Sequence, residues 1–279
     1  MSLGAESRGG AEPSGALRIA DTLRRRRRQG TVPLIAYVMY GDPDPRRWMA
    51  AALGALDGGA AVLELGLPFS DPLADGPVIQ AAGQRALAAG ARPSRVFEAL
   101  RELLRSRPGA VVCLMSYFNP VLAYGPERWL EQAAEAGAAG VILPDLPPEE
   151  AGELPARARQ LGLAWIPFVA PTGTEARLRA ALSAGTGFVY GVALTGVTGS
   201  SAGVDPRVPA LVGRIRALSP WPVAVGFGIS TAADLRSVGQ VADAVVVGSA
   251  LVRRVAEGGS STEIGERVRR EVVRLLGAS

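Results

Sequence analysis

Eight short apolar segments, each followed by a stretch of helical character, recur along this chain of 279 residues. Apolar segments without polar alternation are typical of strands buried on both faces, as in a parallel sheet. Eight such βα units over roughly 250 residues favour a closed (β/α)8 barrel. A doubly wound sheet is the rival, but no G-x-G-x-x-G sequence follows the first strand. The predicted strands are 34–38, 61–65, 110–115, 140–143, 164–169, 187–193, 222–225 and 242–247.

The predicted domain organisation is a single barrel over residues 16–279, preceded by a tail at 1–15. The tail is rich in Gly, Ser, Ala and Glu and is expected to be disordered. An extra N-terminal helix is predicted over 16–29, because apolar residues recur at helical spacing before Gly30. The other predicted helices are 45–56, 79–89, 94–105, 127–136, 149–161, 175–184, 207–218, 231–238, 250–256 and 264–276.

The composition limits the chemistry, because the chain has no His and all 30 basic residues are Arg. Without Lys, no side chain can form a Schiff base with a carbonyl or with pyridoxal phosphate. Ser-His-Asp catalysis and His-based metal sites are excluded, so no metal is expected. The single cysteine, Cys113, cannot form an internal disulfide. Together with the lack of a membrane span or signal peptide in the sequence, this favours a cytoplasmic protein.

The basic pI of about 9.8 could suggest a nucleic-acid partner. The net charge of +4 comes from residues 1–30, where Arg24 to Arg28 form a run, while arginines and acids balance in the rest. We interpret the run as the solvated end of the first helix, where cations are favoured. The sequence therefore predicts neither a nucleic-acid nor a membrane partner.

Acidic residues follow the second predicted strand, at the barrel face where active sites lie. Glu64 belongs to an apolar segment, so burial should raise its pKa and suit it to proton transfer near neutral pH. Asp71 and Asp75 come next, on a loop stiffened by three prolines. The structural alternative is that Glu64 is a hydrogen-bonded carboxyl of the barrel and that Asp71 and Asp75 are turn formers.

Glycines end the last three predicted strands, and the sequence there contains neither Lys nor Arg. Backbone N–H groups at such turns and at the helix starts that follow can bind a phosphate. The alternative is that the glycines only make tight turns. The glycine-containing segments that could form such a site are 195–199, 226–230 and 248–249.

Several aromatic and apolar side chains fall near the same face of the predicted barrel. The sequence leaves open whether Tyr190 is a core aromatic or a site residue. For the other four residues, the sequence without any family comparison favours packing in the barrel core. They are Tyr37, Met115, Ile142 and Phe227. The residues alone thus indicate a barrel enzyme for a small phosphorylated substrate, with Glu64 as acid and base. Several barrel families, including phosphate-sugar isomerases, fit this description.

The string ELGLPFSDPLADGPVIQ at 64–80 is far more specific. It resembles the signature of the tryptophan synthase alpha subunit family, and further family motifs follow in order from about residue 16 to 275. These motifs are Gly41-Asp42-Pro43, Tyr117-Phe118-Asn119-Pro120, Pro144-Asp145-Leu146-Pro147, Ala170-Pro171-Thr172, Thr195-Gly196-Val197-Thr198-Gly199, Val225-Gly226-Phe227-Gly228-Ile229-Ser230 and Val247-Gly248-Ser249.

The resemblance implies a retro-aldol lyase that cleaves indole-3-glycerol phosphate to indole and glyceraldehyde 3-phosphate. It implies that Glu64 transfers protons, that Asp75 binds the indole N–H, and that Tyr190 belongs to the catalytic set. The positions that match the family's phosphate contacts are Gly199, Gly228, Gly248 and Ser249. The positions that match the family's indole contacts are Tyr37, Met115, Ile142, Thr198 and Phe227.

The resemblance also implies an α2β2 complex with a beta subunit that carries pyridoxal phosphate, with no cofactor on this chain. Asp71 and Asp145 match positions that couple the subunits and their loops. Two departures, Met39-Tyr40 before Gly41 and the absence of Arg at 199–203, put loop closure and beta coupling in question. A stand-alone lyase and a non-catalytic activator of a beta subunit are the alternatives.

Overall fold

The computed structural model describes residues 14–192, 207–226 and 228–277. Over these residues the chain forms nine parallel strands and twelve α-helices. The strands are β1 (Leu34–Met39), β2 (Val62–Gly66), β3 (Val112–Met115), β4 (Gly140–Ile142), β5 (Ala164–Trp165), β6 (Phe168–Val169), β7 (Val189–Val192), β8 (Val223–Gly226) and β9 (Ala244–Val247). The helices are α1 (Gly15–Arg28), α2 (Trp48–Asp57), α3 (Pro77–Ala88), α4 (Val96–Ser106), α5 (Phe118–Tyr124), α6 (Pro126–Glu135), α7 (Leu154–Gln160), α8 (Glu175–Ala184), α9 (Arg207–Leu218), α10 (Ala232–Val241), α11 (Ser249–Ala256) and α12 (Ser261–Leu276).

The sheet runs in the order β5-β4-β3-β2-β1-β9-β8-β7-β6, with every pair parallel. Only Ile166 and Pro167 separate the two edge strands, β5 and β6. The N–H of Ile166 donates to Val141 on β4 at 3.0 Å, and the carbonyl of Pro167 accepts from Tyr190 on β7 at 2.9 Å. The dipeptide 166–167 thus connects the β4 side of the sheet to the β7 side, which closes the barrel and confirms the predicted (β/α)8 fold. Pro167 lacks an N–H, so the predicted fifth strand divides into β5 and β6.

The predicted helices 175–184 and 207–218 are confirmed at both ends. The prediction of a helix over 149–161 is wrong at its start, because turns continue to Glu153 and α7 begins at Leu154. Gly152 in this stretch has a φ of +51°, which interrupts a right-handed helix. The sequence analysis missed α5 altogether. This helix contains Pro120 in its first turn, where the absence of an N–H costs nothing.

The predicted N-terminal helix is confirmed as α1, which begins at Gly15, while residues 1–13 lie outside the described ranges. Its apolar face is buried, with Ile19 fully inaccessible. Arg24 donates to the carbonyl of Pro220 at 2.9 Å, and Arg27 donates to that of Gly239 at 2.6 Å. These carbonyls precede β8 and β9, so α1 covers the amino-terminal end of the barrel. Two arginines of the run therefore hydrogen-bond α1 to the barrel, so the run is more than the solvated end of a helix.

Helices α2 and α12 pack in close contact through glycines. A Cβ on Gly54 would lie 2.2 Å from the carbonyl oxygen of Gly265. We expect Gly54→Ala to destabilise the protein by about 1–3 kcal/mol, because the helices must move apart. The matched control is Gly213→Ala in α9, where a Cβ meets no atom within 4 Å. This control should gain up to about 1 kcal/mol from helix propensity. Urea unfolding of both variants tests the contact, and equal stability of the two would contradict it.

Candidate active site

Glu64 lies in the middle of β2, in register with Tyr37 on β1 and Cys113 on β3. Its side chain is only 3% exposed. Within the described part of the chain, the buried Oε2 atom has no hydrogen-bond partner. Burial, together with the charge of Asp75, raises the pKa of Glu64 to about 8. Glu64 is therefore a mostly protonated carboxyl at neutral pH, as its apolar sequence context predicted.

Asp75 lies on the loop 67–76 that joins β2 to α3. Backbone turns hold the loop: Leu73 donates its N–H to Asp71 at 3.0 Å, and Asp75 donates to Pro72 at 3.1 Å. Burial raises the pKa of Asp75 to about 6, while a hydrogen bond from the Tyr117 hydroxyl opposes the rise. The two carboxyl groups thus interact electrostatically and have different proton affinities. Such a pair can supply an acid and an anion in one site at the same pH.

Two predicted site tyrosines interact electrostatically with these carboxyl groups. Tyr190 on β7 packs its ring against Phe168 with centroids 4.9 Å apart. Burial and the charges of Glu64 and Asp75 raise the pKa of Tyr190 well above its ordinary value. The pKa of Tyr37 is raised for the same reasons, with burial first. Both hydroxyls are therefore neutral at ordinary pH, and Tyr37 brings a polar group to what was predicted as an apolar wall.

The apolar part of the predicted site is only partly described. Met115 ends β3 and pairs in register with Ile142, which ends β4. Both side chains are buried at the carboxyl ends of neighbouring strands. Thr198 and Phe227, which the sequence analysis added to this group, lie outside the described residues.

The predicted phosphate-binding residues lie after β8 and β9. Gly228 has a φ of +74°, a left-handed conformation that favours glycine. Gly248 is the N-cap of α11, and Ser249 is the first residue of that helix. The N–H groups of a first helical turn lack partners within the helix and point toward an anion. A Cβ on Gly248 would lie 3.4 Å from that of Tyr37, so this helix start adjoins β1. Gly199 lies outside the described residues.

The two predicted coupling residues make hydrogen bonds within this chain. Asp71 is exposed, and its carboxylate accepts a hydrogen bond from Ser70. Both carboxylate oxygens of Asp145 accept the N–H of Phe118, at 2.9 and 3.1 Å. Asp145 thus binds the start of α5 within this chain. A coupling role for either residue stays a prediction.

Two side-chain contacts near the site were missed, because the sequence analysis gave their residues no role. Tyr117 contacts loop 67–76 through its hydroxyl, which accepts the N–H of Ala74 at 3.0 Å. Asp42, 1% exposed, receives two hydrogen bonds of 2.9 Å from Arg85 on α3. This pair ties the segment after β1 to the helix that follows loop 67–76. Both residues occur in the quoted motifs Gly41-Asp42-Pro43 and Tyr117-Phe118-Asn119-Pro120, which were the available signal.

No group of three or more His, Cys, Asp or Glu side chains that could hold a metal ion occurs among the described residues. In the same ranges, none of the helices has the length and apolar character needed to cross a membrane.

Fold and site together define a class: a (β/α)8-barrel enzyme with two carboxyl groups of raised pKa, one on its second strand and one on the loop that follows that strand. The family described as "Tryptophan synthase alpha chain" matches residues 23–276. The chain belongs to this family, which gives it a lyase-type role in tryptophan biosynthesis.

Individual relatives agree over almost the whole chain. The tryptophan synthase alpha chain of Methanosarcina acetivorans is 48% identical over 250 residues, which cover 88% of this chain and 89% of the relative. That of Halorhodospira halophila is 44% identical over 258 residues, covering 92% and 94%. A solved structure of Mycobacterium tuberculosis tryptophan synthase superposes with a TM-score of 0.85 at 36% identity, covering 96% of this chain and 98% of that one.

Proposed function

We propose that this chain cleaves the carbon–carbon bond of indole-3-glycerol phosphate, releasing indole and glyceraldehyde 3-phosphate. The observation that carries the proposal is the carboxyl pair in a barrel of this family. Glu64 is buried and mostly protonated at neutral pH, and Asp75, which interacts with it electrostatically, has the lower pKa. The reaction needs a proton donor beside an anion, and the pair supplies both.

In the proposed reaction, Glu64 delivers its proton to the ring carbon that bears the glycerol chain. The positive charge that results spreads to the indole nitrogen, where the ionised Asp75 accepts the N–H and stabilises it. The Glu64 carboxylate then takes the proton of the adjacent side-chain hydroxyl. As that carbon–oxygen double bond forms, the carbon–carbon bond breaks and its electron pair returns to the ring. Indole and the aldehyde leave, and Glu64 is protonated again.

The remaining site residues hold the substrate in this proposal. Met115 and Ile142 contact the indole ring together with Tyr37, and so do Thr198 and Phe227. Tyr190, a neutral hydroxyl beside both carboxyl groups, completes the catalytic set. The phosphate binds to backbone N–H groups around Gly228, Gly248 and Ser249, and at Gly199. Because no Arg or Lys lies in these segments, the helix start of α11 supplies most of the attraction.

The pH dependence of kcat/KM follows from the two carboxyl groups. The active form has Asp75 ionised and Glu64 protonated. We therefore expect kcat/KM to be greatest between the two pKa values, about 6 and about 8. The alkaline limb is diagnostic, because the phosphate of the free substrate titrates only near pH ~6. An activity that keeps rising to pH ~9 would mean that Glu64 works as a carboxylate from the start.

For the partner, we propose an α2β2 assembly with a beta subunit, as the family relationship supports. Pyridoxal phosphate then belongs to that subunit, since this chain has no Lys to form a Schiff base. Asp71 and Asp145 are the proposed coupling residues, and the cytoplasm is the proposed location. Residues 16–279 form the proposed catalytic domain.

The test of the function is indole release from indole-3-glycerol phosphate by the purified chain, with and without a beta subunit. Faster cleavage with the beta subunit supports the proposed assembly. Rapid cleavage that is indifferent to the beta subunit supports the stand-alone lyase. Activation of a beta subunit without any cleavage by this chain would leave only the non-catalytic role.

A further inference from the structure

Tyr117 contacts loop 67–76 at two points. Its side chain is 2% exposed and lies between β3 and α5. The hydroxyl accepts the N–H of Ala74 at 3.0 Å, and the ring packs on Phe69 with centroids 5.5 Å apart. Because Ala74 immediately precedes Asp75, the tyrosine fixes the backbone that carries the second carboxyl group.

The hydroxyl of Tyr117 binds the residue that directly precedes Asp75. A tyrosine hydroxyl has one proton to donate, and its oxygen already accepts from Ala74. A hydrogen bond from this proton to the carboxyl group of Asp75 lowers the pKa of Asp75 and favours its ionised form. Glu64, Tyr37 and Tyr190 also interact electrostatically with Asp75.

Tyr117 is itself anchored on a rigid part of the barrel. The hydroxyl of the fully buried Ser116 donates to the carbonyl of Tyr117 at 2.9 Å. On its other side, the N–H of Phe118 donates to both oxygens of Asp145, the other acidic group that faces the tyrosine. The tyrosine can therefore transmit the position of β3 and α5 to loop 67–76.

We propose that Tyr117 is a positioning residue that orients Asp75 and keeps it ionised toward the indole N–H. The inference rests on the proposed function for its catalytic consequence. Its structural part, a hydrogen bond that controls the proton affinity of Asp75, stands independently of the substrate.

The variant that tests this is Tyr117→Phe, which keeps the ring on Phe69 and removes only the hydroxyl. We expect kcat/KM to fall about 10- to 100-fold, the range for losing one hydrogen bond to a charged group. The acid limb of the pH profile should move to higher pH, because Asp75 loses the donor that lowered its pKa. Tyr124→Phe on α5 is the matched control, since that ring packs against Phe97 and Arg128. Its kcat/KM and pH profile should be those of the wild type.

The titration of Asp75 itself is measured from its carboxyl 13C resonance, identified as the signal absent from Asp75→Asn. This measurement needs no substrate, so a failure of the proposed function leaves it interpretable. The expected result is a midpoint at higher pH in Tyr117→Phe than in wild type and Tyr124→Phe. An unchanged midpoint in Tyr117→Phe overturns the inference, and so does a kcat/KM within twofold of wild type in a chain that cleaves the substrate.

Discussion

Glu64→Gln is expected to lower kcat for the cleavage of indole-3-glycerol phosphate by about 10⁴-fold, the upper range for one acid–base group. The magnitude is large because a single carboxyl donates a proton to the ring and then accepts one from the hydroxyl. The fold should persist, since the native carboxyl is protonated at neutral pH and glutamine has nearly the same shape. Steady-state kinetics, with circular dichroism to establish folding, measure both effects.

The matched control is Glu98→Gln in the first turn of α4, which changes the same group on a solvent-exposed surface. Its kcat should stay within about twofold of wild type, as expected for a surface substitution. A Glu64→Gln variant with near-normal kcat would remove Glu64 from the reaction.

Asp75→Asn is the second large effect, with an expected loss of about 10²- to 10³-fold in kcat. The substitution preserves the shape of the side chain but removes the negative charge that stabilises the cationic ring. It also presents an amide group that has only half the accepting capacity of a carboxylate toward the indole N–H. Because the charge matters most after ring protonation, kcat should fall more than substrate affinity does.

For this variant the control is Asp57→Asn at the end of α2, where the carboxylate pairs with Arg107 at 2.7 Å on the outer surface. Such an exposed pair contributes little, so kcat and stability should barely change. If Asp75→Asn raised KM alone and left kcat intact, Asp75 would serve binding and not the transition state.

Much of the fold could be predicted because buried parallel strands leave an apolar pattern that helices interrupt at regular intervals. All eight predicted strand segments occur, with small shifts at their ends. The division into β5 and β6 could not be read from that pattern. It depends on which neighbour each peptide group contacts once the barrel closes around Pro167. Helix α5 was missed because a proline in a short segment predicts a loop, unless its place in the first turn is known.

Prediction of the site from the sequence was limited in the same way, because contacts of single side chains depend on the folded structure. Glu64 and Asp75 were singled out by an acid in an apolar strand and by the specific string at 64–80. For Tyr117 the motif at 117–120 was the only signal, and it did not reveal a role that depends on a hydroxyl contacting a loop 43 residues away at Ala74. Tyr37 was assigned to an apolar wall, since only the three-dimensional arrangement reveals the electrostatic interaction of its hydroxyl with both carboxyl groups.

The most direct test of the proposed lyase activity is the simultaneous measurement of both products from indole-3-glycerol phosphate by the purified wild-type chain. We expect indole and glyceraldehyde 3-phosphate in equal amounts, formed at matching rates and lost together in Glu64→Gln. Formation of neither product by the folded wild-type chain, alone or with a beta subunit, would contradict it.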